Sequence, residues 1–431
     1  MFPSRSVMIL TILTLFALGA PLAGEEAASP AKPATPAKPS QFGINPAGIT
    51  SPEMRDALQR LHAAGVIPGR RGSLAFFRWT SDEPPKLAHL GLRGANFDDE
   101  LLALVAHLPD LEFVSLYETN ITDEGIKSLA GLRKLRSLAI SPINRYEKAG
   151  FGPPQWSYPF LPRRDDRPRI TGQSLPVIAG ITTLESLQLL DARVSAGDLR
   201  PLAELPKLSS LALPNVIDDD TIKHLQPCRR LNSLTLGERA ISADEIARLA
   251  DLKSIRHLIL IHAQLDGDAL QAPAKLDSLE ELQLEDCGLT DERLAQLRVP
   301  LKLSHLSLER NEIAGSGLSH LVKFELKSLA LEFNNLSDDT LVHLPQLGTL
   351  ESLGIGYNVQ VTDRGIASGQ LQMMANLKSL RLRGLKSITD TSLPDLLKFG
   401  HLEHINIRET KTSPECVAQL KQGMPKTVVF K

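Results

Sequence analysis

Apolar residues recur from Leu87 almost to the C-terminus with a period of about 24 residues, and every period has the same two halves. In LEFVSLYETNITDEGIKSLAGLRK, residues 111–134, Leu111, Val114 and Leu116 have the spacing of a short strand. Ile121 closes the turn after it, and Ile126, Leu129 and Leu132 recur at helical spacing. One such unit cannot bury its apolar side alone, so the copies must stack into one elongated body. With the first strand residue of each unit as position one, strands start at Leu87, Leu111, Leu135, Leu184, Leu208, Leu231, Ile255, Leu279, Leu303, Leu326, Leu350, Leu377 and Leu402, thirteen in all. The steps are 23 to 25 residues, apart from a slightly long one before Leu377 and a jump between Leu135 and Leu184. That jump marks an insertion.

Each strand is followed by a helix start with a polar cap, as in Thr122-Asp123, Thr290-Asp291, Ser337-Asp338, Thr362-Asp363 and Thr389-Asp390. Ser242 with Glu245, and Thr412 with Glu415, fit the capping box. Strands pair at about 4.8 Å whereas helix axes need about 8 to 10 Å, so the stack must curve with strands inside. The expected fold is an α/β solenoid, a right-handed β-α horseshoe with about 13 parallel strands on the concave face and helices on the convex face. Its inner rim spans on the order of 60 Å. The exposed ends need covers. Residues 44–86 supply one, with a helix over Ser51 to Ala64 and an apolar run at Ser73 to Trp79. Residues 413–431 supply the other, as a helix and an edge strand, and close the repeat domain of residues 87–431.

Asn311, Asn334 and Asn358 fall at one place after three successive strands, where other repeats put Thr119, Ala192 or Cys287. Side-chain amides there can satisfy buried turn backbone, so they are read as structural. Cys228, Cys287 and Cys416 lie in different, non-adjacent repeats, too far apart for a disulfide, and are expected as buried thiols.

Composition changes this picture at the N-terminus. Met1 to Gly24 has the form of a secretion signal, with Arg5 before an apolar run from Val7 to Phe16 and small residues after it; an uncleaved anchor is the rival reading. Residues 25–43, rich in Pro, Ala and Lys, have almost nothing to bury and read as a disordered linker. Export to the periplasm, the cell surface or the medium is therefore expected, with membrane contact only through an uncleaved signal. A net charge of -2, with 48 basic and 50 acidic residues, gives no footing for generic nucleic-acid binding.

The pattern written here as LEFVSLYETNITDEGIKSLAGL resembles the leucine-rich repeat superfamily, and within it the ribonuclease-inhibitor-like and cysteine-containing subclass found in exported bacterial repeat proteins. The likeness covers residues 87–431. It implies recognition of another macromolecule, usually a protein, by the concave face. Eukaryotic relatives that serve as ubiquitin-ligase adaptors carry an F-box where this chain has its leader and linker.

Two places could carry recognition. The insertion, residues 145–169, holds Tyr146, Trp156, Tyr158, Phe160, Arg163 and Arg164 with five prolines, in a chain with four Tyr and two Trp. These are residue types that dominate binding hot spots, although they could equally pin a long loop to its own solenoid. On the concave face, Phe113 and Tyr117 lie near one end. Further along, Glu285, Glu309 and Glu332 form an acidic row, followed by Arg381, Arg383 and Arg408. Adjacent like charges cost stability, so a partner of opposite charge would be favoured there, unless the row is simply a solvated face. His257, Glu281 and His305 suggest a zinc row, but side chains on neighbouring parallel strands point the same way and do not converge. No nucleophile elbow, phosphate loop or zinc-protease motif occurs, so neither catalytic residues, metal nor cofactor are assigned. The reading is an exported, non-enzymatic protein that recognises an unknown protein partner or a cell-envelope glycan. A self-associating envelope spacer is the alternative, and a metal-dependent enzyme or an adaptor-like substrate binder is weaker.

Overall fold

The structure is a computed structural model, and it describes residues 49, 51–68, 76–80, 86–141, 170–214, 218–237 and 240–431. One sixteen-stranded sheet runs through it in sequence order. The first two strands, Ile67–Pro68 and Phe76–Trp79, and the last, Val428–Phe430, flank thirteen repeat strands. All neighbours pair in parallel except Phe76–Trp79 with Leu87–Arg93, which pair antiparallel. The repeat strands stack in strict register, so that Leu258 lies between Leu234 and Leu282. A period shared by every unit leaves no other alignment that keeps positions one, four and six inside. These positions are buried almost without exception, and they join the convex-side residues in one continuous apolar core.

The insertion does not break this ladder. Strand Ser137–Ser141 pairs directly with Ser186–Gln188, and Arg136 holds Glu185 across the join with Nη2 to Oε1 at 2.9 Å. Within the sheet the chain therefore resumes where it left off. The leader, the linker and the 145–169 insertion lie outside the described residues.

The convex side differs from a ring of helices. Its arms are single α-helical turns, such as Asp123–Ile126 and Asp291–Leu294, continued or replaced by 3-10 segments such as Asp338–Gln346. A repeat of about 24 residues that has already spent a strand and two turns has few residues left, and 3-10 geometry spans more length per residue. The longer helices are at the ends: Pro52–Ala63, with Ser51 accepting from the Met54 N–H, and Pro414–Gly423. The latter is capped by Ser413, not by Thr412, which is buried instead. The Ser242–Glu245 capping box is present as read.

Two polar ladders lock repeat to repeat. The amide of Asn334 donates to the carbonyls of Leu308 and Leu331 and its oxygen accepts from the Ile313 N–H. Asn311 and Asn358 repeat the arrangement. On the other side, the first-turn aspartates do more than favour a helix start. Asp338 accepts from both the N–H and the hydroxyl of Thr362 in the next repeat, at 2.7 Å each, and Asp99 does the same with Thr122. Gly125 and Gly365 leave the space: a Cβ on Gly365 would lie 2.3 Å from Asp338 Oδ1. The three cysteines are free, with Cys228 and Cys416 buried and Cys287 half-buried.

Candidate recognition surface

The concave face is lined by positions three, five and seven of each repeat, and it is drier than an outward-facing row would be. Ser115 is 0% exposed and its hydroxyl has no partner. Arg93, Glu281, Glu285 and Glu332 are also buried. These polar side chains are held against each other in the hollow rather than spread into solvent.

At the N-terminal end, Phe113 packs on the ring of His89 with centroids 5.5 Å apart. Burial and the nearby Arg78 guanidinium push the His89 imidazole down to about 4, so it is a neutral ring at neutral pH. Tyr117 is half-buried one strand from Arg93, which approaches Glu118 at 3.6 Å.

The acidic row is not the open invitation that its spacing suggests. Arg310 Nε lies 3.2 Å from Glu285 Oε1, and Arg381 Nε donates to Glu332 Oε1 at 2.7 Å. Arg383 and Glu409 form a further ion pair. Arg408 stands over the Phe430 ring at 5.7 Å. Two of the three glutamates are thus neutralised from within the chain, by arginines whose roles could not be read from strand order. Glu309 lies between them, and its backbone carbonyl accepts from the Asp286 N–H and from Asn311 Nδ2, but its carboxyl group has no hydrogen bond or ion pair among the described residues. Burial and the carboxylates of Glu332 and Glu285 push its own carboxyl up to about 8.

Position eight, where the chain leaves the strand, was missed as a site element. Its residues take the left-handed conformation: Glu118, His262, Asp286, Arg310, Phe333, Tyr357 and Glu409 have φ between 50° and 60°. This costs roughly 1 kcal/mol per non-glycine residue. The bend lets the N–H of His262, Asp286, Arg310, Phe333 and Tyr357 donate to the position-seven carbonyl of the following repeat, as from Arg310 to Glu332 at 3.0 Å and from Tyr357 to Arg383 at 2.9 Å. It also aligns their side chains along the rim. Phe333 is sandwiched between the Arg310 guanidinium, 4.1 Å from its centroid, and the Tyr357 ring, also 4.1 Å away and nearly parallel. Tyr357 donates its hydroxyl to Glu409 at 3.0 Å. Gly384 follows in the same row, and a Cβ there would lie 2.2 Å from the Tyr357 ring. The ring faces of Phe333 are covered on both sides, so this stack stiffens the rim more than it offers a platform. Its only sequence signal is the absence of glycine at a bend that favours it.

The proposed zinc row does not converge. His257 Nδ1 meets Glu281 Oε2 at 3.2 Å, but Glu281 also takes Gln283, and His305 turns to Ser304 at 2.8 Å. Among the described residues no three acidic, histidine or cysteine side chains could hold a metal ion. Of the insertion residues, Tyr146, Trp156, Tyr158, Phe160, Arg163 and Arg164 fall outside the described residues.

No protein-family model matches the sequence. Over 178 residues the chain is 32% identical to human podocan-like protein 1, an alignment that covers 38% of this chain and 34% of that one. The chain thus spans about a third of that relative's length. Among solved structures it is similar to an internalin from Listeria monocytogenes, with 21% identity over 88% of this chain and 93% of the other and a TM-score of 0.40. A leucine-rich repeat protein from Leptospira interrogans gives 16% identity, 80% and 89% coverage and a TM-score of 0.35. Likenesses at these scores carry no argument about function. The period of the sequence and the thirteen stacked strands do identify the fold, and the chain is a leucine-rich repeat solenoid.

Proposed function

We propose that the protein is an exported, non-enzymatic recognition module that holds a protein partner in its concave face, with the 145–169 insertion as a second contact. The observation that carries this reading is the hollow itself. Charged side chains such as Glu281, Glu285 and Glu332 are kept in a half-dry, pre-organised surface instead of being replaced by apolar ones. Ordering them in advance lowers the cost of docking, which is what a rigid recognition face requires. The aromatic and arginine content of the insertion supports its use as a contact. Export rests on the form of residues 1–24, and the linker 25–43 would let the solenoid stand off from an envelope layer.

The spacer reading keeps one observation in its favour. Among the described residues strand Val428–Phe430 has one hydrogen-bonded neighbour, and it exposes Val428, so a second copy could add there. Residues 44–431, used as bait against an envelope extract in parallel with a version lacking residues 145–169, separate the two. A distinct polypeptide retained by the intact bait and reduced without the insertion supports recognition. Retention of this chain alone supports the spacer.

A further inference from the structure

Three carboxylates and two guanidiniums meet on the concave face between positions 285 and 381. Arg310 satisfies Glu285 and Arg381 satisfies Glu332, each by one short contact. Glu309 is left over, half-buried but reachable from the hollow. A second observation points into the same spot. Glu332 is 8% exposed, and while its Oε1 takes Arg381, its Oε2 is buried without any hydrogen-bond partner. Strand register puts Glu309 and Glu332 at equivalent places on adjacent strands, about 5 Å apart. Beside them Ala330 presents only a methyl group, while the space over Gly354 is taken by Glu332 Oε1 and Arg381 Nη2, which fixes the pair as one wall of the spot.

From this we infer that Glu309 and the free oxygen of Glu332 form a slot for one cationic side chain, a lysine or arginine presented by the protein partner. A single positive charge would draw Glu309, whose carboxyl burial and its acidic neighbours hold up at about 8, into its ionised form; the carboxylates and cations are then equal in number, and the cation's N–H groups meet the acceptor that now has none. A metal ion is disfavoured because no third ligand converges on the slot among the described residues. An organic cation needs only two carboxylates and a shallow floor. The inference rests on the proposed concave-face recognition and specifies the chemistry of its partner.

The test is calorimetric titration of the full chain with acetyl-Ala-Ala-Lys-Ala-Ala-amide and with its arginine and glutamine counterparts. Alongside the natural chain, Glu309→Gln removes the slot charge, and Glu403→Gln removes an exposed charge elsewhere; melting curves establish that both fold. The natural chain and Glu403→Gln should bind the lysine and arginine peptides at least about fivefold tighter than the glutamine peptide. In Glu309→Gln that preference should vanish. Equal binding of all three peptides by the natural chain overturns the slot, as does a preference that survives in Glu309→Gln. Failure of the peptides while an envelope protein is still captured removes the slot alone. Success of the peptides with no captured protein leaves the slot and removes the recognition reading.

Discussion

Arg381 reaches across the intervening strand Ser352–Gly354 to hold Glu332 at 2.7 Å. Gly354 makes this possible: a Cβ there would lie 2.0 Å from Glu332 Oε1 and 2.4 Å from Arg381 Nη2. Gly354→Ala should therefore push the pair apart and destabilise the solenoid by about 1–3 kcal/mol, although it adds only a methyl group. Urea unfolding checks this. A variant as stable as the natural chain would mean that the pair yields freely and that Gly354 has no part in seating it.

The asparagine ladder makes a second claim. Asn334→Ala leaves the Ile313 N–H without its acceptor in a buried turn, while the Leu308 and Leu331 carbonyls lose one donor each and keep Asn311 and Asn358. The expected cost is about 1–3 kcal/mol, since a buried polar group left unpaired loses its full desolvation. Thermal melting followed by circular dichroism reads it. A loss below about 0.5 kcal/mol would place water in the turn instead.

Glu309 should make stability depend on pH. Its carboxyl is raised in the folded chain to about 8 by burial, Glu332 and Glu285, against the opposing pull of Arg381 and Arg310. A raised folded value means that its contribution is full below the ordinary carboxylate range and is lost as pH rises towards 8. Glu309→Gln should remove that decline and raise stability at pH 8 by on the order of 1 kcal/mol after solvent screening. Parallel melting curves from pH 5 to 9 decide it, and identical pH profiles would contradict the assignment.

The repeats were legible in the sequence because stacking forces the same apolar positions into every unit. Leu111, Val114 and Leu116 could hardly be anything but one buried strand edge. Asn334 was legible for the same reason, since a polar residue in a buried slot must serve its neighbours. The pairing of Glu332 with Arg381 was not, because it depends on what a third strand lacks at Gly354. Nor was the Arg310–Phe333–Tyr357 stack, which needs a left-handed bend at residues that usually avoid it. Short convex arms were read as helices because an apolar spacing of three or four residues fits a 3-10 turn as well as an α-helix.

The thiols give a prediction independent of the surface. Burial raises Cys228 to about 11, Cys287 to about 12 and Cys416 to about 11. A disulfide reagent at about pH 8 should therefore label the native chain slowly and reach three thiols only on denaturation without reductant. Rapid native labelling, or fewer than three on denaturation, would contradict it.

The central claim is that the hollow, not the convex side, meets the partner. The direct measurement is capture from an envelope extract by residues 44–431 carrying Phe113→Ala, Tyr117→Ala and Glu309→Gln together, beside a convex variant, Lys398→Glu with Lys421→Glu. The account predicts that the convex variant retains the partner held by the natural chain and that the concave variant, folded by its melting curve, retains at least about tenfold less. Equal retention by the concave variant would contradict it.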